Sequence, residues 1–505
     1  MKPTHHNNSA SLFDNDAALQ ASVSVQKATG AYYTPDAVVR SLVSWAARRA
    51  TDRMLDPACG DGRFLTAHAN SVGVEQDPLA CQAVHARAPG SLIHQGDFFA
   101  WASQTHERFD CAAGNPPFIR YQRFTGEVRE AAMRLCQRHG AKFSSLSSSW
   151  APFMVATATL LKPGGRMAFV VPAEIGHAPY AAPVLEHMTR YFDRVQIVAV
   201  RDKLFPDLSE DCWLLYADGY GGHCDTLKFT ALDHFAYSAK PPRVSVDVTV
   251  AEWRHWNCRL RPFLLDPAAR ELYTIAAESR RSLRLGDVAR VGIGYVTGAN
   301  DFFHLRPSHA EKLGIPSRLL HPAVRNGKSL AGGCVDEKRV TAWMTADDPV
   351  LLLRLSQGAD LPAPVRRYLD SDLGHEARET YKCRNRDPWY SVPDVTVPDG
   401  FLSYMSGDGP TLVSNKAGCV CTNSVHAVHL AKGMSMSRLM KLWAEPVTAL
   451  SCELEGHPLG GGMLKVEPRE AARIVLNDTA IRADADKRTL AEAVATLKRW
   501  RHYGK

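Results

Sequence analysis

The chain has no stretch near the ~18 consecutive apolar residues that a membrane helix needs. Its polar N-terminus, residues 1–16, also lacks the apolar core of a signal peptide. Both absences point to a cytoplasmic protein with no membrane partner. None of its 12 cysteines forms a C-x-x-C pair, and the nearest two, Cys419 and Cys421, have one residue between them. That spacing suits neither a zinc ribbon nor a thioredoxin-like site, and no histidine pair has a zinc-ligand partner set, so no metal is expected. In a reducing compartment these read as thiols, several of them buried as small apolar side chains. Disorder of the whole chain is excluded, because 45% of the 505 residues are hydrophobic and only 22% are charged. That length predicts two or three domains.

Charge is unevenly placed. Residues 1–240 carry 23 basic and 23 acidic side chains, whereas residues 241–505 carry 37 and 30, and so hold all of the net +7. A neutral half joined to a basic half suggests a catalytic domain beside one that binds a polyanion. Residues 1–26 are polar and aperiodic, and read as a flexible tail. Thr34 and Pro35 then fit the N-cap and first turn of a helix carrying Val38, Val39, Leu42, Val43 and Ala46 on one face. Apolar runs at 53–56, 72–75, 92–95, 109–114, 166–171, 195–200 and 213–217 follow, mostly separated by helical segments. This alternation predicts an α/β domain with an open, mostly parallel, seven-stranded Rossmann-like sheet. Glycines and prolines punctuate residues 218–250, after which alternation is lost. We place one domain at 27–245 and a second, of α+β character, at 246–505, with a helical stretch over 468–503.

Four motifs close four successive strands of the first domain. Asp56-Pro57-Ala58-Cys59-Gly60-Asp61-Gly62 lies between a strand and a helix. Its glycines permit a tight turn and close approach of a ligand, although it is neither G-x-G-x-x-G nor a P-loop. Glu75, nineteen residues after Asp56, sits near the offset at which an acid meets ribose hydroxyls in nucleotide folds. Gly96-Asp97-Phe98-Phe99 follows the third strand, offering an acceptor for an adenine amino group beside an aromatic ring. Gly114-Asn115-Pro116-Pro117-Phe118 follows the fourth. Two prolines stiffen this turn and remove two N–H donors. The Asn115 side-chain oxygen and a turn carbonyl can accept both hydrogens of a planar amine, freeing its lone pair, while Phe118 offers a face for the ring that bears it.

In this order the motifs resemble those of S-adenosylmethionine-dependent N6-adenine DNA methyltransferases of the gamma group, the TaqI-methyltransferase-like enzymes of restriction–modification systems. The family's Thr-Gly-x-Tyr-Tyr-Thr-Pro segment stands here as Thr29-Gly30-Ala31-Tyr32-Tyr33-Thr34-Pro35. The resemblance implies a methyltransferase fold over residues 27–245 and a C-terminal DNA-recognition domain. It implies cofactor contacts from Tyr33, Thr34, Asp56, Ala58, Gly60, Glu75, Asp97, Phe98 and Asn115. It also implies catalysis by Asn115, Pro116 and Phe118 on an adenine flipped out of double-stranded DNA. Phe205, in Leu204-Phe205-Pro206, matches the second aromatic that packs on the flipped base.

In the second half, residues 292–303 resemble a turn motif of the family's recognition domains. Residues 381–390 interleave basic and aromatic side chains, so that Lys382, Arg384, Arg386 and Trp389, with Tyr121 from the first half, are candidate DNA contacts. The expected protein is a prokaryotic, monomeric modification enzyme, with any cognate restriction endonuclease encoded separately. Cytosine-5 chemistry needs a Pro-Cys nucleophile, and the sequence has no such dipeptide. RNA adenine and protein glutamine methylation share the Asn-Pro-Pro turn and remain alternatives, as does a non-catalytic nucleic-acid-binding subunit.

Overall fold

The computed structural model describes residues 34–206, 208, 210–358, 360–477 and 483–503. Tyr33, the segment before it and the expected tail at 1–26 lie outside the described residues. The chain divides between Leu264 and Leu265 into two compact units.

Among the described residues, the first element of the first unit is α1 (Asp36–Ala46), whose N-cap is Pro35. The helix therefore starts later than its sequence suggests. Thr34 makes no cap but is buried at 4% exposure. The chain then alternates through β1 (Met54–Asp56), α2 (Arg63–Thr66), β2 (Ser71–Glu75), α3 (Pro78–Arg87), β3 (Leu92–Gln95), α4 (Phe98–Gln104) and β4 (Phe109–Gly114). Two helices, α5 (Gly126–Arg138) and α6 (Trp150–Ala158), precede β5 (Leu161–Pro172). After α7 (Ala182–Tyr191) come β6 (Phe192–Val200), β7 (Cys212–Tyr220), β8 (Thr226–Leu232) and β9 (Val246–Thr249).

These strands form one nine-stranded sheet in the order β3-β2-β1-β4-β5-β7-β6-β8-β9. All seven expected strands are present, and two more extend the sheet. β8 pairs parallel to β6, and β9 pairs antiparallel to β8. The sheet thus runs past residue 245 within the Gly- and Pro-rich region. β8 is inconspicuous in sequence because Lys228 and Thr230 interrupt its apolar side chains. β1 to β5 run parallel, and β7 lies antiparallel between β5 and β6. Strand order reverses between β1 and β4, so the carboxyl ends of β1 to β4 converge at the point where open α/β sheets bind ligands. On one side, Val38, Val39, Leu42 and Val43 of α1 pack with Met54, Cys111, Ala113, Ala168 and Val170. The helix stripe and strand faces predicted from periodicity meet there.

The second unit is α+β. Its largest sheet has five strands, ordered Ala289–Ile293, Val425–Leu430, Gly400–Ser403, Leu412–Asn415 and Cys334–Val335. The stretch expected to be helical at 468–503 is interrupted. Pro468–Arg473 is followed by the strand Val475–Leu476, paired with Leu283–Arg284, before the helix Asp484–Trp500 begins. Val475 and Leu476 are fully buried, a demand that sheet pairing met and helical spacing did not reveal.

Candidate active site

A cavity of about 360 Å³ opens over the carboxyl ends of β1 to β4. Its lining includes Thr34, Asp56, Ala58, Gly60, Glu75, Asp97, Phe98 and Asn115. Residues far apart in the sequence therefore face one space.

Each is set by its strand end. Asp56 ends β1 at 1% exposure, and its Oδ1 accepts the Ala58 N–H at 3.2 Å. Its Oδ2 is buried with no hydrogen-bond partner among the described residues. Burial in this poorly solvating site, with the Glu75 and Asp61 charges adding to it, pushes the Asp56 carboxyl up to about 8. Gly114 allows that placement, because a Cβ there would lie 2.6 Å from Asp56 Oδ1. The glycine loop turns with Gly60 at φ +50° and Gly62 at φ +80°, in the left-handed region. The Gly60 N–H donates to Glu75 Oε2 at 2.9 Å, and the Asp77 N–H donates to Glu75 Oε1 at 2.8 Å. Each Glu75 oxygen keeps acceptor capacity, since a carboxylate has about four lone-pair sites. Asp97 is the N-cap of α4, where Oδ1 accepts the Ala100 N–H at 2.9 Å; burial holds its carboxyl above the ordinary range.

At the end of β4, Asn115 Nδ2 donates to Thr34 Oγ1 at 3.2 Å. This turns the amide so that its oxygen is the atom directed away from Thr34. Pro117 lines the cavity. Phe118 is half-buried and packs against the same apolar cluster that contains Phe205, which is 6% exposed. Arg120, just past the turn, bonds Glu210 at 2.8 Å, linking the turn to the loop that carries Phe205. Tyr121 is 36% exposed at the surface.

Several lining residues have no sequence signature. Phe153 of α6 stacks on Phe98 with centroids 4.9 Å apart, and packs edge-on to Phe99 at 4.7 Å. Phe124, Ile119 and Ser149 complete that side of the cavity. Isolated Phe, Ile and Ser residues in a helix or a connecting segment look like core or surface until the tertiary fold brings them together.

In the second unit, the two segments singled out in the sequence pack on each other. Arg386 donates to the Thr297 carbonyl at 2.6 Å and to the Val296 carbonyl at 2.5 Å. A Cβ on Gly298 would lie 2.6 Å from Lys382 Cβ. Trp389 packs on Phe302 at 5.5 Å. Arg386 and Trp389 thus tie the segment down, whereas Lys382 and Arg384 are exposed. Among the described residues, no group of three or more His, Cys, Asp or Glu is arranged to hold a metal ion, and no helix is long and apolar enough to cross a membrane.

Known proteins resemble both halves of the chain. Residues 19–85 match the N-6 DNA Methylase family, and residues 80–203 match the Eco57I restriction-modification methylase family. Residues 259–502 match the C-terminal domain of Type II methyltransferase M.Eco57I. Type II methyltransferase M.XamI of Xanthomonas campestris pv. amaranthicola is 24% identical over 88% of this chain and 84% of its own. Type II methyltransferase M.AccI of Acinetobacter calcoaceticus is 18% identical over 99% of this chain and 94% of its own. The chain is an adenine-specific DNA methyltransferase of the restriction–modification type. Among solved structures, the methyltransferase resembles the Type IIL restriction-modification enzyme MmeI, solved in complex with DNA. That match has a TM-score of 0.51 at 12% identity, and covers 93% of this chain and 67% of that one. The methyltransferase spans 61% of the length of another structural relative, the type IIG restriction endonuclease BpuSI, at a TM-score of 0.43.

Proposed function

We propose that this methyltransferase uses S-adenosylmethionine to methylate the N6 amine of an adenine flipped out of duplex DNA, with its motifs in the gamma order. The observation that carries this reading is the shared cavity of Asp56, Glu75, Asp97 and Asn115, in which a buried carboxylate oxygen of Asp56 has no partner among the described residues. Such an oxygen calls for a cationic or N–H donor, and the ammonium of a methionine moiety supplies both. The remaining acceptor sites of Glu75 suit a pair of ribose hydroxyls. Asp97 can accept from an adenine amino group, while Phe98 and Phe153 form an apolar wall for the ring. When bound, the cosubstrate supplies an electrophilic methyl group on a sulfonium.

The chain's own part is to present the nucleophile. The Thr34 hydroxyl takes an Asn115 N–H; the Asn115 oxygen accepts one amine hydrogen, and the Pro116 carbonyl accepts the other. Phe118 stacks on the base, with Phe205 as the candidate for its opposite face. Positioning an amine in line with a sulfonium methyl needs neither a metal nor a covalent intermediate. The second unit recognises the target sequence, and its exposed Lys382 and Arg384, together with Tyr121 of the first unit, contact the DNA. The enzyme acts in the cytoplasm as a monomer and is the modification arm of its system, beside a separately encoded endonuclease. The Type II methyltransferase relatives support its place in a restriction–modification system.

The test is expression in a host lacking adenine methylation, followed by modification-sensitive sequencing of its DNA. Methylated adenine confined to one short motif is expected. A folded protein that binds the cosubstrate yet leaves no methylated adenine refutes the reading.

A further inference from the structure

The Asn-Pro-Pro-Phe turn is held from outside itself. Ser149 precedes α6, is 1% exposed and lines the same cavity as Asn115 and Pro117. Its hydroxyl donates to the Pro117 carbonyl at 2.5 Å and accepts the Ile119 N–H at 3.0 Å. Its own N–H donates to the Ile119 carbonyl at 2.9 Å. One residue therefore bridges the backbone on both sides of Phe118.

Three features separate this arrangement from an ordinary helix cap. Ser149 stands at the N-cap position of α6 but makes no side-chain capping bond, so its hydroxyl is turned to the turn instead of the helix. Both proline nitrogens of the turn lack hydrogens, so neither can lock the turn by donating within it. A hydroxyl can also both donate to a carbonyl and accept from an N–H, which neither a carboxylate nor an ammonium can do. The Pro117 carbonyl is thereby engaged, whereas the adenine-methylation reading assigns the Pro116 carbonyl to an incoming amine hydrogen.

We propose that Ser149 is a positioning residue for methyl transfer. It holds residues 115–118 so that the Asn115 side-chain oxygen and the Pro116 carbonyl converge on the target amine. This role rests on the adenine-methylation reading above. Ser149→Ala would leave the Pro117 carbonyl and the Ile119 N–H without their partner and let the turn relax. A shift on the order of 1 Å in the placement of a reacting group can cost about a hundredfold in rate.

The experiment uses the full chain, DNA from a host lacking adenine methylation, and S-adenosylmethionine carrying a tritiated methyl group. It compares wild type with Ser149→Ala, Ser149→Cys and Ser149→Thr by single-turnover methyl transfer, with cosubstrate and DNA Kd measured separately. Alanine should slow transfer by about ten- to a hundredfold, while both Kd values stay within about twofold of wild type. Cysteine, close in size but a weak donor, should be slow as well, and threonine, which restores the hydroxyl, should recover most of the rate. If Ser149→Ala does not fold, the contrast between cysteine and threonine decides. Alanine or cysteine as fast as wild type overturns the proposal. So does threonine as slow as alanine, or a loss that appears in both Kd values and not in the transfer step. If wild type itself places no methyl group on adenine, the functional reading fails, and that result is distinct from each of these.

Discussion

Asp56→Asn tests the electrostatics of the cavity directly. Asp56 is held near a pKa of 8 against 3.8 for the free side chain, first because burial strips it of water and then because Glu75 and Asp61 repel its charge. The folded protein therefore binds one proton more than the unfolded chain between about pH 4 and pH 8. Stability from this residue is highest below about pH 4, where the carboxyl is neutral in both the folded and the unfolded state. It falls as pH rises, and the full cost of the buried charge is reached above about pH 8. Asparagine keeps the shape and the acceptor facing Ala58 but cannot ionise. The stability difference in favour of the variant should thus widen by ~1.4 kcal/mol per pH unit inside that window. Between pH 5.5 and pH 7.5 the widening is about 3 kcal/mol. For a unit of this size that corresponds to a Tm difference growing by roughly 6–12 °C. Scanning calorimetry of the ligand-free wild type and variant at the two pH values reads it, because other titrating groups cancel in the difference. The same substitution should weaken S-adenosylmethionine binding by about tenfold or more, since it removes a charged acceptor from an ammonium. A Tm gap that stays constant between the two pH values refutes the argument, because Asp56 would then be ionised in the fold at no cost.

Asn115→Ala should abolish methyl transfer while the cosubstrate Kd by calorimetry changes little; persistent methylation would remove Asn115 from its assigned role. Phe118→Ala should weaken binding of DNA with the target base displaced, seen as a loss of 2-aminopurine fluorescence at that position, more than it weakens cosubstrate binding, and equal losses would contradict stacking. Gly114→Ala puts a Cβ 2.6 Å from Asp56 Oδ1 and 3.1 Å from Phe169 Cε1. It should cost ~1–3 kcal/mol in thermal stability and lower cosubstrate affinity, and unchanged values would mean the strand end is slacker than its packing implies. In the second unit, Lys382→Ala and Arg384→Ala should each reduce the slope of log affinity for DNA against log salt by about 1. Arg386→Ala should instead lower Tm, because it strips the bonds to Val296 and Thr297.

Much of the first unit was legible because a parallel α/β sheet repeats one short-range pattern. β1, β2 and β3 each end in a turn that carries an acid, with glycine or proline beside it, and the next helix starts within seven residues. The motifs at Asp56, Glu75, Asp97 and Asn115 could thus be assigned to successive strand ends without knowing how the strands pair. β8 and β9 escaped this pattern, because their polar alternation near the sheet edge resembles a linker. The break at Val475–Leu476 escaped as well, since two buried residues are too few to shift a helical periodicity. Phe124, Phe153 and Ser149 lie outside the motifs, and nothing in their local sequence ties them to a site.

Motif order and residue chemistry established which groups are available: an acid at each of three successive strand ends, and a stiff Asn-Pro-Pro-Phe turn after the fourth. Those are covalent and local properties, carried by the chain whether folded or not. The tertiary structure decided how each group behaves. It raised the Asp56 carboxyl by surrounding it with residues from β4 and the neighbouring loops. It turned the Ser149 hydroxyl from a helix cap to the Asn-Pro-Pro-Phe turn, and committed Arg386 to carbonyls ninety residues away while leaving Lys382 and Arg384 exposed. Desolvation and hydrogen-bond satisfaction depend on every atom within a few ångströms, and most of those atoms belong to residues far away in the sequence.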